Sequence, residues 1–161
     1  MQIEKFQFTY QVFDNVDELQ TEDKELLEKA YEAIEKAYAP YSGFRVGAAA
    51  LLNDGSIYSA ANQENASYPV TICAERALLS TIASVKPDMQ IKTIAISYSD
   101  RKNKSDKPLS PCGMCRQAML EYEKNNHEHI RIILGGKKGK VFILDACEIL
   151  LPFSFNGEDL G

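Results

Sequence analysis

From Thr21 onward the apolar residues switch between a three-to-four-residue period and short runs, in an order that admits few folds. Leu26, Ala30, Ile34 and Ala37 recur at helical spacing, so the stretch from Thr21 predicts a helix with one buried face. Thr21 is placed to cap it and Glu22 and Asp23 suit its positive end. The helix must stop before Pro40, because the residue ahead of a proline disfavours helical angles. After a turn at Tyr41-Ser42-Gly43, two apolar runs at 44–52 and 56–61 flank Asn53-Asp54-Gly55, and an Asp-Gly pair in that setting signals a hairpin. Residues 74–85 read as a helix, 91–97 as a buried strand and 115–126 as a helix. Residues 130–134 and 141–144 read as two strands around a glycine-rich hairpin turn, and Asp145 can cap a last short helix ending before Pro152. Helix, two strands, helix, strand, helix, two strands is the order of a three-layer α/β/α sandwich with a mixed five-stranded sheet.

A chain of 161 residues fits one domain, 1–161, with residues 1–20 standing ahead of the first helix as an N-terminal extension. Within it Phe6-Gln7-Phe8-Thr9-Tyr10-Gln11-Val12 alternates aromatic and polar residues, as a half-buried strand or an ordered extended arm would. A formal net charge of -5 argues against a polynucleotide partner, since phosphate binding demands a clustered Lys/Arg surface. The first residues lack the apolar core of a secretory signal, and no window approaches the roughly eighteen apolar residues of a membrane span. The chain is therefore expected in the cytoplasm, away from membranes, with its four cysteines reduced. The stretch 100–110, rich in Lys, Asp, Asn and Ser, reads as a solvated surface loop.

Two short clusters carry the chemistry: Cys73-Ala74-Glu75 and Pro111-Cys112-Gly113-Met114-Cys115. Each stands at the start of a predicted helix, where unpaired N–H groups and the helix dipole favour thiolates. Cys112 and Cys115 are three apart, so on a first helical turn both sulfurs point the same way and can share one ion. Soft thiolates suit zinc, and three protein ligands leave a fourth tetrahedral position for water, the open arrangement of a catalytic site. Glu75, two residues from a ligand, is placed to move protons, and Arg76 is close enough to offset the charge of three thiolates.

These clusters, with Ala39-Pro40-Tyr41-Ser42-Gly43-Phe44-Arg45-Val46-Gly47-Ala48-Ala49, Asn62-Gln63-Glu64-Asn65-Ala66-Ser67-Tyr68 and the Arg116-Gln117 that follows Cys115, resemble the cytidine deaminase family over residues 21–160. The Cys, nearby Glu and Pro-Cys-x-x-Cys pattern is the signature of the zinc deaminases. The resemblance implies a cytidine deaminase-like fold, one Zn²⁺ per chain on Cys73, Cys112 and Cys115, and Glu75 as the proton carrier. It also implies Asn62 and Glu64 on the ribose hydroxyls, Phe44 against the base and Ala74 beside it. Short, all-cysteine members of the family are homotetramers, and Ala66, Tyr68 and Phe155 are similar to positions that a neighbouring chain contributes. The implied reaction is hydrolysis of cytidine and 2′-deoxycytidine to the uridines with release of ammonia, in pyrimidine salvage, with a small nucleoside and no nucleic acid as partner. The N-terminal extension and the 100–110 loop depart from the family pattern.

Three alternatives stand beside that expectation. Cys147 as a fourth ligand would make a structural zinc knot, and hence a zinc-stabilised binding module without turnover. A relative acting on an aminohydroxy-pyrimidine antibiotic or another nucleoside analogue would share the same motifs. A polynucleotide editor is disfavoured by charge. His127 and His129 read as exposed turn residues, and Cys147 by itself reads as a small buried thiol.

Overall fold

The computed structural model describes residues 1–161. Its strands are β1 (Gln11–Phe13), β2 (Arg45–Leu52), β3 (Ile57–Ala61), β4 (Ile91–Ser99), β5 (Arg131–Gly135) and β6 (Val141–Leu144). Its helices are α1 (Thr21–Ala33), α2 (Ala74–Val85) and α3 (Gly113–Asn126). The strands form one sheet in the order β1-β6-β5-β4-β2-β3. Only β4 and β5 are parallel, and α3 is the crossover that a parallel pair requires.

The sheet thus has six strands rather than the five expected. The end of the aromatic alternation supplies the sixth: Val12 lies opposite Phe142 and the Tyr10 ring packs edge-on to the Phe142 ring at 5.1 Å. This pairing covers a β6 edge that would otherwise present unpaired backbone groups. A second correction concerns Thr21, which does not cap α1 but is its first helical residue. Gln20 holds the cap position in extended conformation without a side-chain bond, so the Thr21 hydroxyl comes one residue too late. The short helix expected after Asp145 reduces to a single 3₁₀ turn, Glu148–Leu150.

The central strands are buried on both faces, and their alternation divides the core. Ala48, Ala50, Leu52, Ile94, Ile96, Ile132 and Leu134 face α2 and α3 together with Leu78, Leu79, Ile82 and Met119. Ala49, Leu51, Ala95 and Ile133 face α1 through Leu26, Leu27 and Ala30. A bidentate ion pair at 2.9 and 3.0 Å from Arg131 to the buried Asp23 fixes α1 across β5. None of the helices is long and apolar enough to cross a membrane.

The pairing directions place the rest. β3 and β4 both run antiparallel to β2, so they run the same way and end at the same edge, with Ala61 opposite Gly47 and Ser99 opposite Arg45. The chain leaves β3 to form α2 and leaves β4 to form α3, so both helices start at that edge.

At Gly47 the backbone of α1 lies close against the sheet: a Cβ there would lie 2.0 Å from the Ala30 carbonyl oxygen. Because the obstacle is backbone, Gly47→Ala is expected to lower the free energy of unfolding by about 2 kcal/mol or more, read from urea denaturation. An unchanged midpoint would contradict this packing.

Candidate active site

Cys73 occupies the cap position of α2 and Cys112 that of α3, with Cys115 on the first turn of α3. Their sulfurs converge across the two chain segments. Cys73 Sγ is 3.8 Å from Cys112 Sγ, Cys112 Sγ is 3.3 Å from Cys115 Sγ, and all three lie within 4.8 Å of one another. An ion with Zn–S bonds of about 2.3 Å in tetrahedral geometry sets its sulfurs roughly 3.8 Å apart, so this donor set fits zinc in size and in softness. Cys147 is elsewhere, buried with its Sγ donating to the Ile130 carbonyl at 3.6 Å. The cluster is therefore three thiols without a fourth, which removes the structural knot and leaves the open arrangement.

Donation from Cys115 is the largest influence on the Cys73 thiol and brings it down to about 6, and the charge of Arg76 acts in the same direction. The Cys115 thiol is pushed far up by the same bond and by burial. One sulfur is thus poised as a thiolate, as a metal ligand must be. Glu75, on the first turn of α2, is 4% exposed, and burial raises its carboxyl above the usual carboxylate range. A carboxylate held this way keeps a proton more readily than a solvated one. Ala74, between the two, is fully buried against the sheet.

The segment between β3 and α2 leads from Ala61 into Cys73. Asn62 is buried, with Oδ1 accepting from Val46 N at 2.8 Å and Nδ2 donating to the Phe44 carbonyl at 3.0 Å. Its carboxamide pins the start of β2, a structural duty that its sequence context did not show. Glu64 Oε2 accepts from Tyr41 N at 2.8 Å and from Ser42 N at 3.2 Å. The Ser42 hydroxyl above all, and these two amides with it, hold the Glu64 carboxyl below the usual carboxylate range. Phe44 follows that turn and stacks on Tyr98, with ring centroids 5.4 Å apart and planes 17° from parallel. Tyr41, Ser42, Glu64, Tyr68 and Thr71 line an open cleft of about 320 Å³. Ala66 and Tyr68 lie on the exposed rim, and Tyr68 is 70% exposed. Phe155 stands on the C-terminal segment, its carbonyl accepting from Gln117 Nε2 at 2.9 Å and its ring 59% exposed.

Three supporting side chains escaped the reading of the sequence. Arg116 donates through Nε to the Pro111 carbonyl at 3.0 Å and through Nη1 to the Leu150 carbonyl at 3.1 Å, tying the thiol loop to the C-terminal segment. Glu123, a mid-helix carboxylate that looks like a solvated residue, is buried and accepts from the amides of Ile130, Cys147 and Glu148 at 2.7 to 2.9 Å. Arg101, in the loop expected to be solvated, donates to the carbonyls of Tyr41 and Ser42. That loop also carries the buried Ser105. His127 and His129 lie apart from the thiols and are exposed, as their polar turn suggested.

Comparison with known proteins agrees with this geometry. The family model described as the cytidine and deoxycytidylate deaminase zinc-binding region matches residues 20–127. A cytidine deaminase of Halalkalibacterium halodurans is 41% identical over 137 residues, spanning 84% of this chain and 96% of the relative. A blasticidin-S deaminase of Bacillus cereus is 34% identical over 136 residues, spanning 83% and 92%. The crystal structure of a cytidine deaminase from Burkholderia pseudomallei is similar with a TM-score of 0.71 at 35% identity, covering 85% of this chain and all of that one. The six-stranded fold, the three-thiol cluster and these matches agree, and the chain belongs to the cytidine and deoxycytidylate deaminase zinc-binding family.

Proposed function

We propose that the chain hydrolyses the exocyclic amine of cytidine and of 2′-deoxycytidine, giving the uridines and ammonia, as a step of pyrimidine salvage. Zinc-dependent deamination of cytidine is the part that family membership carries. The observation behind it is the convergence of three sulfurs within 4.8 Å at two helix starts, with the buried Glu75 two residues beyond the cap of α2.

Cys73, Cys112 and Cys115 hold one zinc. When bound it supplies Lewis-acid chemistry, acidifying water towards neutrality. Glu75 takes one proton from the attacking water and delivers it to the ring nitrogen next to C4; as the C4–N bond breaks it moves the remaining proton of that oxygen to the amine, which leaves as ammonia while the oxygen becomes the C4 carbonyl. A buried carboxyl with raised proton affinity can make both transfers. Arg76 offsets the negative charge of the thiolates. Phe44, braced by Tyr98, gives the base a flat apolar wall, and Ala74 adds to it. Asn62 keeps one N–H of Nδ2 beyond its bond to Phe44, and the Glu64 carboxylate keeps acceptor capacity beyond the two turn amides and the Ser42 hydroxyl. One donor and one acceptor suit the hydroxyls of a sugar.

The proposed assembly is a homotetramer in which Ala66, Tyr68 and Phe155 meet a neighbour's site. The exposed rings of Tyr68, Phe153 and Phe155 support it, since apolar side chains left open at a site's rim mark an interface. The proposed setting is the cytoplasm, where thiols stay reduced.

Purified protein is expected to convert cytidine to uridine, followed by loss of cytidine absorbance. Glu75→Gln should keep fold and zinc while kcat falls by roughly 100- to 10,000-fold; retained activity would end this mechanism. Cys112→Ala should lose the metal by elemental analysis, and a full zinc complement would contradict the ligand set. Arg76→Ala should weaken zinc retention and slow turnover, and no change in either would remove its compensating role. The blasticidin-S deaminase similarity supports a second reading, in which blasticidin S is the better substrate. Parallel assays with both compounds decide between them.

A further inference from the structure

The 100–110 loop leaves β4 directly after Ser99 and is anchored at its root and at its midpoint. At its root Asp100 Oδ1 accepts from the amides of Lys102 and Lys104, each at 2.8 Å, and Asp100 N donates to the Lys104 carbonyl at 3.0 Å. Further along, Ser105 is buried against the β5–β6 turn. Its carbonyl accepts from Lys138 N at 2.9 Å and its hydroxyl from Lys137 N at 2.8 Å. Gly136 is needed there, because a Cβ would lie 2.4 Å from the Ser105 carbonyl oxygen. A loop tied down in this way presents Arg101 from a fixed base.

Arg101 lies across Gly43, whose φ of +64° suits glycine. Through Nε and Nη2 it donates to the Ser42 and Tyr41 carbonyls. The amides of those same two residues donate to Glu64. The turn is therefore held between a cation on its carbonyls and an anion on its amides. The positive charge of Arg101 also favours ionised Glu64. Two adjacent carbonyls match the planar fork of a guanidinium and not the point charge of an ammonium.

We propose that Arg101 is a positioning residue for nucleoside binding, acting through the Tyr41-Ser42 turn to set Glu64 and the start of Phe44. This rests on the reading of Glu64 as a sugar contact. It assigns to the inserted loop a part in substrate affinity, with no part in the chemical step, because Arg101 bonds the turn and not the thiol cluster.

The test is steady-state kinetics on cytidine for wild type, Arg101→Ala, Arg101→Lys, Glu64→Ala and the Arg101→Ala/Glu64→Ala pair, with zinc content and Tm measured on each. Losing two charge-assisted bonds should raise KM about tenfold in Arg101→Ala while kcat stays within about twofold and zinc stays at one per chain. Arg101→Lys should restore only part of the affinity. In the Glu64→Ala background, Arg101→Ala should add less than about twofold, since residues acting through one another are non-additive. An unchanged KM in Arg101→Ala, a full tenfold effect without Glu64, or a loss confined to kcat and zinc would overturn the proposal. An inactive, zinc-loaded wild type would instead end the nucleoside reading itself.

Discussion

β3 and β4 both pair antiparallel with β2, and that shared direction is what the site depends on. It brings the carboxyl ends of two strands to one edge of the sheet, so the chain turns into α2 and α3 side by side. Cys73 and Cys112 cap those helices, and the sulfurs meet because the helix starts meet. Had either strand run the other way, one helix would begin at the far edge, 5 residues of strand away for β3 or 9 for β4, or about 17 and 30 Å. The opposite layer contributes by closeness: α1 presses on β2 at Gly47, leaving the other face to α2 and α3.

Three thiols and a buried carboxylate gathered at one edge make an electrostatic problem that the fold answers locally. The helix starts offer N–H groups and positive dipole ends to Cys73 and Cys112. Arg76 adds a full charge near Cys73. Glu75 is kept apart from solvent, which raises its proton affinity, whereas the Ser42 hydroxyl and the turn amides lower that of Glu64. The two carboxylates thus have their proton affinities driven in opposite directions, Glu75 by burial and Glu64 by hydrogen bonding.

The layered fold, the thiol cluster and the helix holding Glu75 were legible in the sequence because each leaves a local mark. Apolar periodicity marked α1 and α2, Asp54-Gly55 marked the β2–β3 hairpin, and three cysteines at two helix starts marked the metal site. What was not legible depends on distant pairing. β1 became a sixth strand only because β6 offered an edge and Phe142 a ring for Tyr10. Arg101, Glu123 and Arg116 carry ordinary polar side chains whose partners are backbone groups far along the chain, and no spacing announces such bonds. Asn62 and Glu64 stood out through family resemblance, but their bonds to the 41–46 backbone became visible only in three dimensions.

The three thiols at the starts of α2 and α3 make an open zinc site. X-ray absorption at the zinc edge tests it most directly on the purified chain. Three sulfur neighbours at about 2.3 Å and one oxygen or nitrogen neighbour are expected. Four sulfur neighbours, or a protein that carries no zinc, would contradict it.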